Sequence, residues 1–205
     1  MSDARVRYTT LEIGNMDIHI RLLRDILQFS DEDGVAKRLG ISSAAWPMSG
    51  VIWPSGEVLA HLMMDFPVKG KRVLEVGCGI ALASLVLNQR SADITATDHH
   101  PETEGFLIYN AGLNNGRIIP FVRTGWASSP GNGLGNFDLI IGSDLLYEDE
   151  HVDLLATFIN QHGRIHCDVV VVDPGRGLHA KFTKKMVGLG YSHRREKPEN
   201  TEVGS

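Results

Sequence analysis

Asp144-Leu145-Leu146-Tyr147 follows an apolar run over 137–141 that only Asp138 interrupts. An acid and an aromatic three residues apart, just past a core strand, suit a cation. The carboxylate attracts and orients it, and a ring face favours it. A second constellation lies upstream. Val73-Leu74-Glu75-Val76-Gly77-Cys78-Gly79-Ile80-Ala81-Leu82-Ala83 reads as a strand, a glycine turn and a helix start. Glycines permit backbone angles that a Cβ forbids and let a ligand approach the main chain. About twenty residues on, Ile94-Thr95-Ala96-Thr97 ends in Asp98. An acid at that spacing takes ribose hydroxyls in nucleotide-binding folds.

The ligand is constrained by what surrounds the turn. A dinucleotide fingerprint needs a third small residue where Leu82 stands, which counts against a dinucleotide oxidoreductase. No phosphate-binding loop of the Gly-x-x-x-x-Gly-Lys-Ser/Thr type is present. Glu75, at the mouth of the turn in this reading, repels a pyrophosphate. It suits a cationic end, such as the amino group and sulfonium of S-adenosylmethionine. Trp126 follows Thr124-Gly125 just beyond the third strand of the series. His99 and His100 are adjacent and have no evident third partner, so no metal site is assigned. Arg176, in Asp173-Pro174-Gly175-Arg176, either meets an acidic substrate or neutralises an acid-rich rim. Lys181, Lys184, Lys185, Arg194 and Arg195 read as a solvated basic face.

These residues need a frame that gathers them. The spacing predicts strands over 72–76, 93–97, 117–122, 137–142 and 167–172, alternating with helices over 81–88, 102–113, 152–161 and 179–189. Such alternation implies a parallel sheet covered on both faces, with ligands bound outside the carboxyl ends of its strands. The 167–172 strand is the most apolar and is expected mid-sheet. A last strand is expected over 191–195. Upstream, period-two alternation around Gly14-Asn15 predicts a β-hairpin over 8–22. A helical turn is expected from Ser30-Asp31-Glu32-Asp33. A helix over 56–65, capped by Ser55, would bury Val58, Leu59, Leu62, Met63 and Phe66. The 128–136 stretch is a Gly/Pro/Ser-rich loop.

Bulk properties set outer limits. At 205 residues the chain is long enough to bury a sizeable core, and 42% apolar with 22% charged residues is ordinary globular composition. A net charge of −5 lacks the basic footprint of a nucleic-acid binder. Two cysteines in no metal spacing fit a reducing compartment. The polar N-terminal residues and the absence of a long apolar run lead to the expectation of a soluble, cytoplasmic, monomeric protein with no membrane partner.

VLEVGCG resembles the first motif of class I, seven-β-strand S-adenosylmethionine-dependent methyltransferases. Trp53-Pro54 and Asp144-Leu145-Leu146-Tyr147 resemble stretches of the protein-lysine methyltransferase group (methyltransferase family 16-like, bacterial type). The resemblance runs from about Trp53 to Tyr191. It implies a doubly wound, mostly parallel, Rossmann-like α/β fold with an N-terminal hairpin and helix extension. Residues 1–50 would form the hairpin and cover, and 51–205 one compact methyltransferase domain. The family's closing hairpin is only half legible here. The implied cofactor is S-adenosyl-L-methionine, held by Trp53, Glu75, Gly77, Cys78, Gly79, Ala81, Asp98, His99, Trp126 and Ser143. Trp126 would border the adenine. Asp144 and Tyr147 would be catalytic, and the partner a protein substrate.

Chemistry agrees with those roles. A lysine arrives protonated, with a pKa of about 10.4, and its cation has no lone pair. Asp144 would orient the ammonium, Tyr147 would wall the channel, and a sulfonium would lower the amine pKa. The proton then leaves to water without a strong base. Two alternatives stay open: methylation of an arginine or a small molecule, and a non-catalytic cofactor-binding scaffold. Asp144 capping the next helix is the plain structural alternative.

Overall fold

In this computed structural model the described residues are 5–25, 34–41, 46–127 and 133–197. The expected helix start at 30–33 and positions 128–132 of the expected loop fall outside them. Strands β1 (Val6–Ile13) and β2 (Met16–Leu23) form the expected hairpin, with Ile13 opposite Met16 across Gly14-Asn15. Ile18, Ile20 and Leu22 of β2 alternate into the core. Helix α1 is Val35–Leu39, and a 3-10 turn spans Trp46–Gly50.

Helix α2 is Pro54–Asp65. It begins differently from the sequence expectation. Trp53 stands at the N-cap and Pro54 occupies the first turn, where its missing N–H costs nothing. Ser55 lies inside the helix and is buried. The inward stripe is Ser55, Leu59, Ala60 and Met63, and Leu62 faces water.

The remaining elements are β3 (Arg72–Val76), α3 (Leu82–Gln89), β4 (Asp93–Asp98), α4 (Thr103–Leu113), β5 (Phe121–Arg123), β6 (Phe137–Ser143), α5 (Asp149–His162), β7 (Gly163–Val172) and α6 (His179–Gly188). Five strands make one parallel sheet in the order β5-β4-β3-β6-β7. Strand β3 shows how its two faces are used. Val73 joins a core with α2, α3, α4 and the hairpin, while Leu74 and Val76 join a core with α5 and α6. This is the doubly wound α/β arrangement, with an N-terminal hairpin added.

Three sheet details depart from the sequence reading. Strand β7 lies at the edge among the described residues, not mid-sheet. Its valines still need two apolar faces: Val170 and Val172 pack on one core, Val169 and Val171 on the other. Burial by helices on both faces produces the same apolar run as a central position. Strand β5 is shorter than expected and starts after Pro120, which lacks a ladder donor but accepts the Ala96 N–H through its carbonyl at 2.9 Å. Residues 191–195 form no strand. Gly190 has φ +96°, and the Tyr191 N–H returns to the Met186 carbonyl at 3.1 Å, closing α6 instead. Leu189, just past α6, is 37% exposed.

The hairpin docks on α4 through two side-chain amides. Asn114 accepts the His19 N–H (2.8 Å) and donates to the His19 carbonyl (2.7 Å). Asn110 does the same for Arg21, at 2.8 and 3.1 Å. Residues four apart on a helix share a face, and the main-chain groups of residues two apart on a strand point to the same edge, so the two amides meet His19 and Arg21 along one edge of β2. No helix of the described residues is long and apolar enough to cross a membrane.

Candidate functional site

The carboxyl ends of β3, β4 and β6 meet at one place, and the glycine turn is its floor. Gly77 and Gly79 have φ of +59° and +51°. A Cβ on Gly77 would stand 2.6 Å from Leu145 Cδ2 and 3.7 Å from Trp126 Cζ2. Leu145 belongs to the Asp144–Tyr147 loop, so that loop rests directly on the turn. Its other methyl fills the space beside Gly142, where a Cβ would come within 2.5 Å. Cys78 is buried, and its N–H bonds to the Thr97 carbonyl of β4 at 3.0 Å. Ala81, at φ +60°, takes the left-handed conformation as N-cap of α3 and is buried.

Asp98 holds the turn from the side. One carboxylate oxygen accepts the Gly79 N–H and the other the His100 N–H, both at 2.8 Å. Burial raises its pKa from the ordinary value, and those two bonds oppose the rise. Asp98 does not cap α4, whose N-cap is Glu102. His99 is exposed, and its ring lies 3.4 Å from the Leu39 carbonyl and beside Gly125. His100 is buried edge-on against Trp46, with ring centroids 4.4 Å apart. Burial, then the neighbouring His99, pushes its pKa down to about 4, so it is neutral. The two histidines therefore serve different surroundings.

Glu75 differs from its expected place. The sequence reading puts it at the mouth of the turn. Strand alternation puts it on the face of Val73, toward α3, where it is 3% exposed. One oxygen accepts both the N–H (2.9 Å) and the hydroxyl of Ser84, in the first turn of that helix. Unpaired N–H donors at a helix start attract a carboxylate. Burial nonetheless pushes its pKa up to about 7.

A stability dependence follows from that shift. Below the ordinary value of 4.5 both folded and unfolded chains hold this proton. From there to about 7 the unfolded chain loses it and the folded chain keeps it, so stability falls as pH rises through this window. Above the window the loss is complete. Glu75→Gln should therefore flatten the pH profile. The difference in unfolding free energy between about pH 5 and about pH 8 should shrink by on the order of 3 kcal/mol in urea titrations. A wild-type slope in the variant would show that Glu75 is not its source.

The upper wall is aromatic. Trp126 is half-buried, and its ring meets the His151 ring edge-on at 5.3 Å. Tyr147, half exposed, meets the same His151 edge-on at 4.3 Å. Burial, then the negative charges of Asp98 and Glu148, raises the Tyr147 pKa. Trp53 is half-buried and donates its ring N–H to the Met48 carbonyl at 2.9 Å. Ser143 ends β6, with its hydroxyl 3.6 Å from where a Cβ on Gly56 would sit, so α2 closes over this strand end. Asp144 is a non-glycine residue at φ +58°, its N–H bonded to the Val172 carbonyl at 2.9 Å. It does not cap α5, whose N-cap is Glu148. Its carboxylate is held by the Arg176 guanidinium. Arg176 thus acts as a neutraliser of the rim, one of the two roles open to it from sequence.

Two participants escaped the sequence reading. His151 links both aromatic walls, and its only signal was a spacing of four from Tyr147. Leu145 looked like ordinary strand-end apolarity. Glu148, Glu150 and His151 bring one potential ligand atom each within 4.8 Å of one another. The acids are exposed and suit the positive end of α5, and His151 is engaged by its aromatic neighbours, so no metal is assigned to them.

Comparison with known proteins places this geometry. A family model described as lysine methyltransferase matches residues 40–186. The chain is 31% identical over 134 residues to an electron transfer flavoprotein beta subunit lysine methyltransferase of Xenopus laevis, covering 63% of this chain and 53% of the relative. It is 28% identical over 202 residues to a calmodulin-lysine N-methyltransferase of Arabidopsis thaliana, covering 92% and 65%. The chain thus spans about half the length of the frog relative it matches. Among solved structures, the ribosomal protein L11 methylase of Lactobacillus delbrueckii subsp. bulgaricus superposes with a TM-score of 0.57 at 21% identity, covering 70% of this chain and 72% of that one. A magnesium protoporphyrin IX methyltransferase from Synechocystis, solved with its methyl donor bound, gives 0.54 at 23%, covering 69% of each chain. At such identities these structures establish the shared fold, the Rossmann-like class I methyltransferase sheet.

Proposed function

The chain belongs to the lysine methyltransferase family, and from that premise we propose that it transfers a methyl group from S-adenosyl-L-methionine to the side-chain amine of a lysine in a protein substrate. One observation carries this reading: Leu145 packs against Gly77. It brings the loop bearing Asp144 and Tyr147 onto the turn that would hold the methyl donor.

The residues present fit that donor. Gly77 and Gly79 hold the turn at positive φ, which leaves its backbone bare toward the carboxyl ends of the strands. Each oxygen of Asp98 accepts one N–H, and a carboxylate has about four acceptor positions, so both ribose hydroxyls can still donate to it. Trp126 offers its ring beside the same turn. Asp98 supplies negative potential to a cationic ligand, while Glu75 braces the start of α3 through Ser84 rather than making the contact first expected. Trp53, Cys78, Ala81, His99 and Ser143 shape the surrounding wall. When bound, the donor presents an electrophilic methyl on a sulfonium.

On the acceptor side, Asp144 receives the lysine ammonium and Tyr147 flanks it. The ammonium loses its proton to water, favoured by the nearby positive charge. The nitrogen lone pair then forms the new N–C bond as the C–S bond breaks, and that electron pair stays on sulfur. The two cysteines are free and buried, which supports a reducing, cytoplasmic location. The net charge of −5 supports a protein rather than a nucleic acid as partner.

The test is calorimetric titration with S-adenosyl-L-methionine and, separately, NAD. The first should bind in the micromolar range and the second not at all. Asp98→Ala should weaken binding by roughly 10- to 100-fold, the range for lost hydrogen bonds to a charged group. Equal affinity in wild type and variant would remove Asp98 from the site. No binding of either ligand would remove the cofactor reading.

A further inference from the structure

Asp144 is already occupied by a cation. Its side chain is 11% exposed, and the Arg176 guanidinium sits on its carboxylate. A carboxylate this buried needs a compensating charge, and removing the partner without replacement is costly. Arg176 stands very differently. It is 40% exposed, on a loop between β7 and α6 whose residues 174–177 all face water. Gly175 and Gly177 flank it at φ +95° and +94°, and a Cβ on either would meet nothing within 4 Å. The loop is anchored at each end. Asp173 accepts the Gly175 N–H at 2.8 Å, and Leu178 packs on the α5–α6 core. Between these anchors the arginine rides on two backbone positions with unusual freedom.

We infer that Arg176 is a built-in stand-in for the acceptor cation, and that the enzyme selects lysines lying beside a carboxylate. This inference rests on the reading of Asp144 as the acceptor's acid. Two cations crowded on one carboxylate that is only 11% exposed repel each other, so the incoming ammonium displaces the guanidinium. Asp144 keeps a compensating charge while the ammonium takes the place of the guanidinium. The displaced guanidinium swings outward on its glycine-flanked loop, toward the protein that delivered the lysine. An Asp or Glu next to the target lysine receives it. The exchange is then two pairs for two pairs, with no charge left alone. A substrate lysine with no acidic neighbour leaves Arg176 unpaired and competing for Asp144.

The experiment uses the full chain with isotopically labelled S-adenosyl-L-methionine on a lysate, mapping labelled lysines by mass spectrometry for wild type, Arg176→Gln and Asp144→Asn. Wild-type sites should carry an Asp or Glu adjacent to the lysine. Arg176→Gln should also label lysines without one, at rates raised roughly fivefold, the scale of one partly exposed ion pair. Wild-type sites with no excess of acidic neighbours would overturn the inference. So would an Arg176→Gln variant with unchanged sites or a lower rate. Asp144→Asn should be silent in the same assay. Full labelling by Asp144→Asn would instead sink the acceptor role of Asp144. Absence of labelled lysine with every form would sink the lysine reading itself.

Discussion

Asp144→Asn should lower methyl transfer to protein lysine by on the order of 100-fold while leaving binding of the methyl donor unchanged. Asparagine is the informative replacement. Asp144 sits at φ +58°, which Asn tolerates and Ala does not. The substitution keeps the shape and removes only the charge that holds the ammonium. The fold should survive it, because the partner losing its anion is Arg176, which returns to water from a partly exposed position. Melting temperature and donor affinity close to wild type, with transfer lost, would place the defect at the acceptor. Transfer within a factor of about two of wild type would exclude Asp144 from the chemistry. Tyr147→Phe tests a different quantity. It keeps the ring edge that meets His151 and removes a hydroxyl, so the aromatic wall predicts a much smaller loss.

Gly77→Ala should abolish donor binding and cost roughly 1–3 kcal/mol of stability. Two effects add. The left-handed backbone angle disfavours any Cβ, and the new methyl would stand 2.6 Å from Leu145 Cδ2. Leu145 has little room to retreat, since its other methyl is pressed toward Gly142 and Val76. A Leu145→Ala background separates the two effects. There Gly77→Ala should cost less, by about 1 kcal/mol in a double-mutant cycle of urea midpoints, because the collision is gone and only the backbone term remains. Additive effects would mean that the acceptor loop and the glycine turn are not in mechanical contact. That would remove the observation on which the functional reading chiefly rests.

Much of the frame is legible from local pattern. Strands β3, β4 and β6 are short runs that end in an acid or are followed at once by a glycine or an acid, and a hairpin around Gly14-Asn15 needs only alternation and a turn. What escaped was non-local or two-valued. Val169 to Val172 reads as a central strand because burial on two faces looks the same whether neighbours are strands or helices. Ser55 invites a cap, yet Pro54 at the first turn is the stronger start signal. The inward turn of Glu75 was available from period two, since it shares a face with Val73. At the site, the glycine turn, Asp98 and the Asp144–Tyr147 motif are contiguous stretches with recognisable spacing. The Arg176–Asp144 pair joins residues 32 positions apart, and although Arg176 reads as a possible neutraliser of the rim, no spacing names Asp144 as its partner.

The two asparagine amides that hold the hairpin have a consequence for the order in which the molecule assembles. His19 and Arg21 meet partners 95 and 89 positions later in the chain. A hairpin closes within microseconds, but two strands alone are marginal in water. During synthesis at about 5–20 residues per second, β2 therefore waits on the order of 5–20 s before Asn110 and Asn114 emerge. For that interval its apolar face of Ile18, Ile20 and Leu22 lacks the helix that the two amides would bring onto it. The hairpin therefore needs shielding on the ribosome until α4 docks.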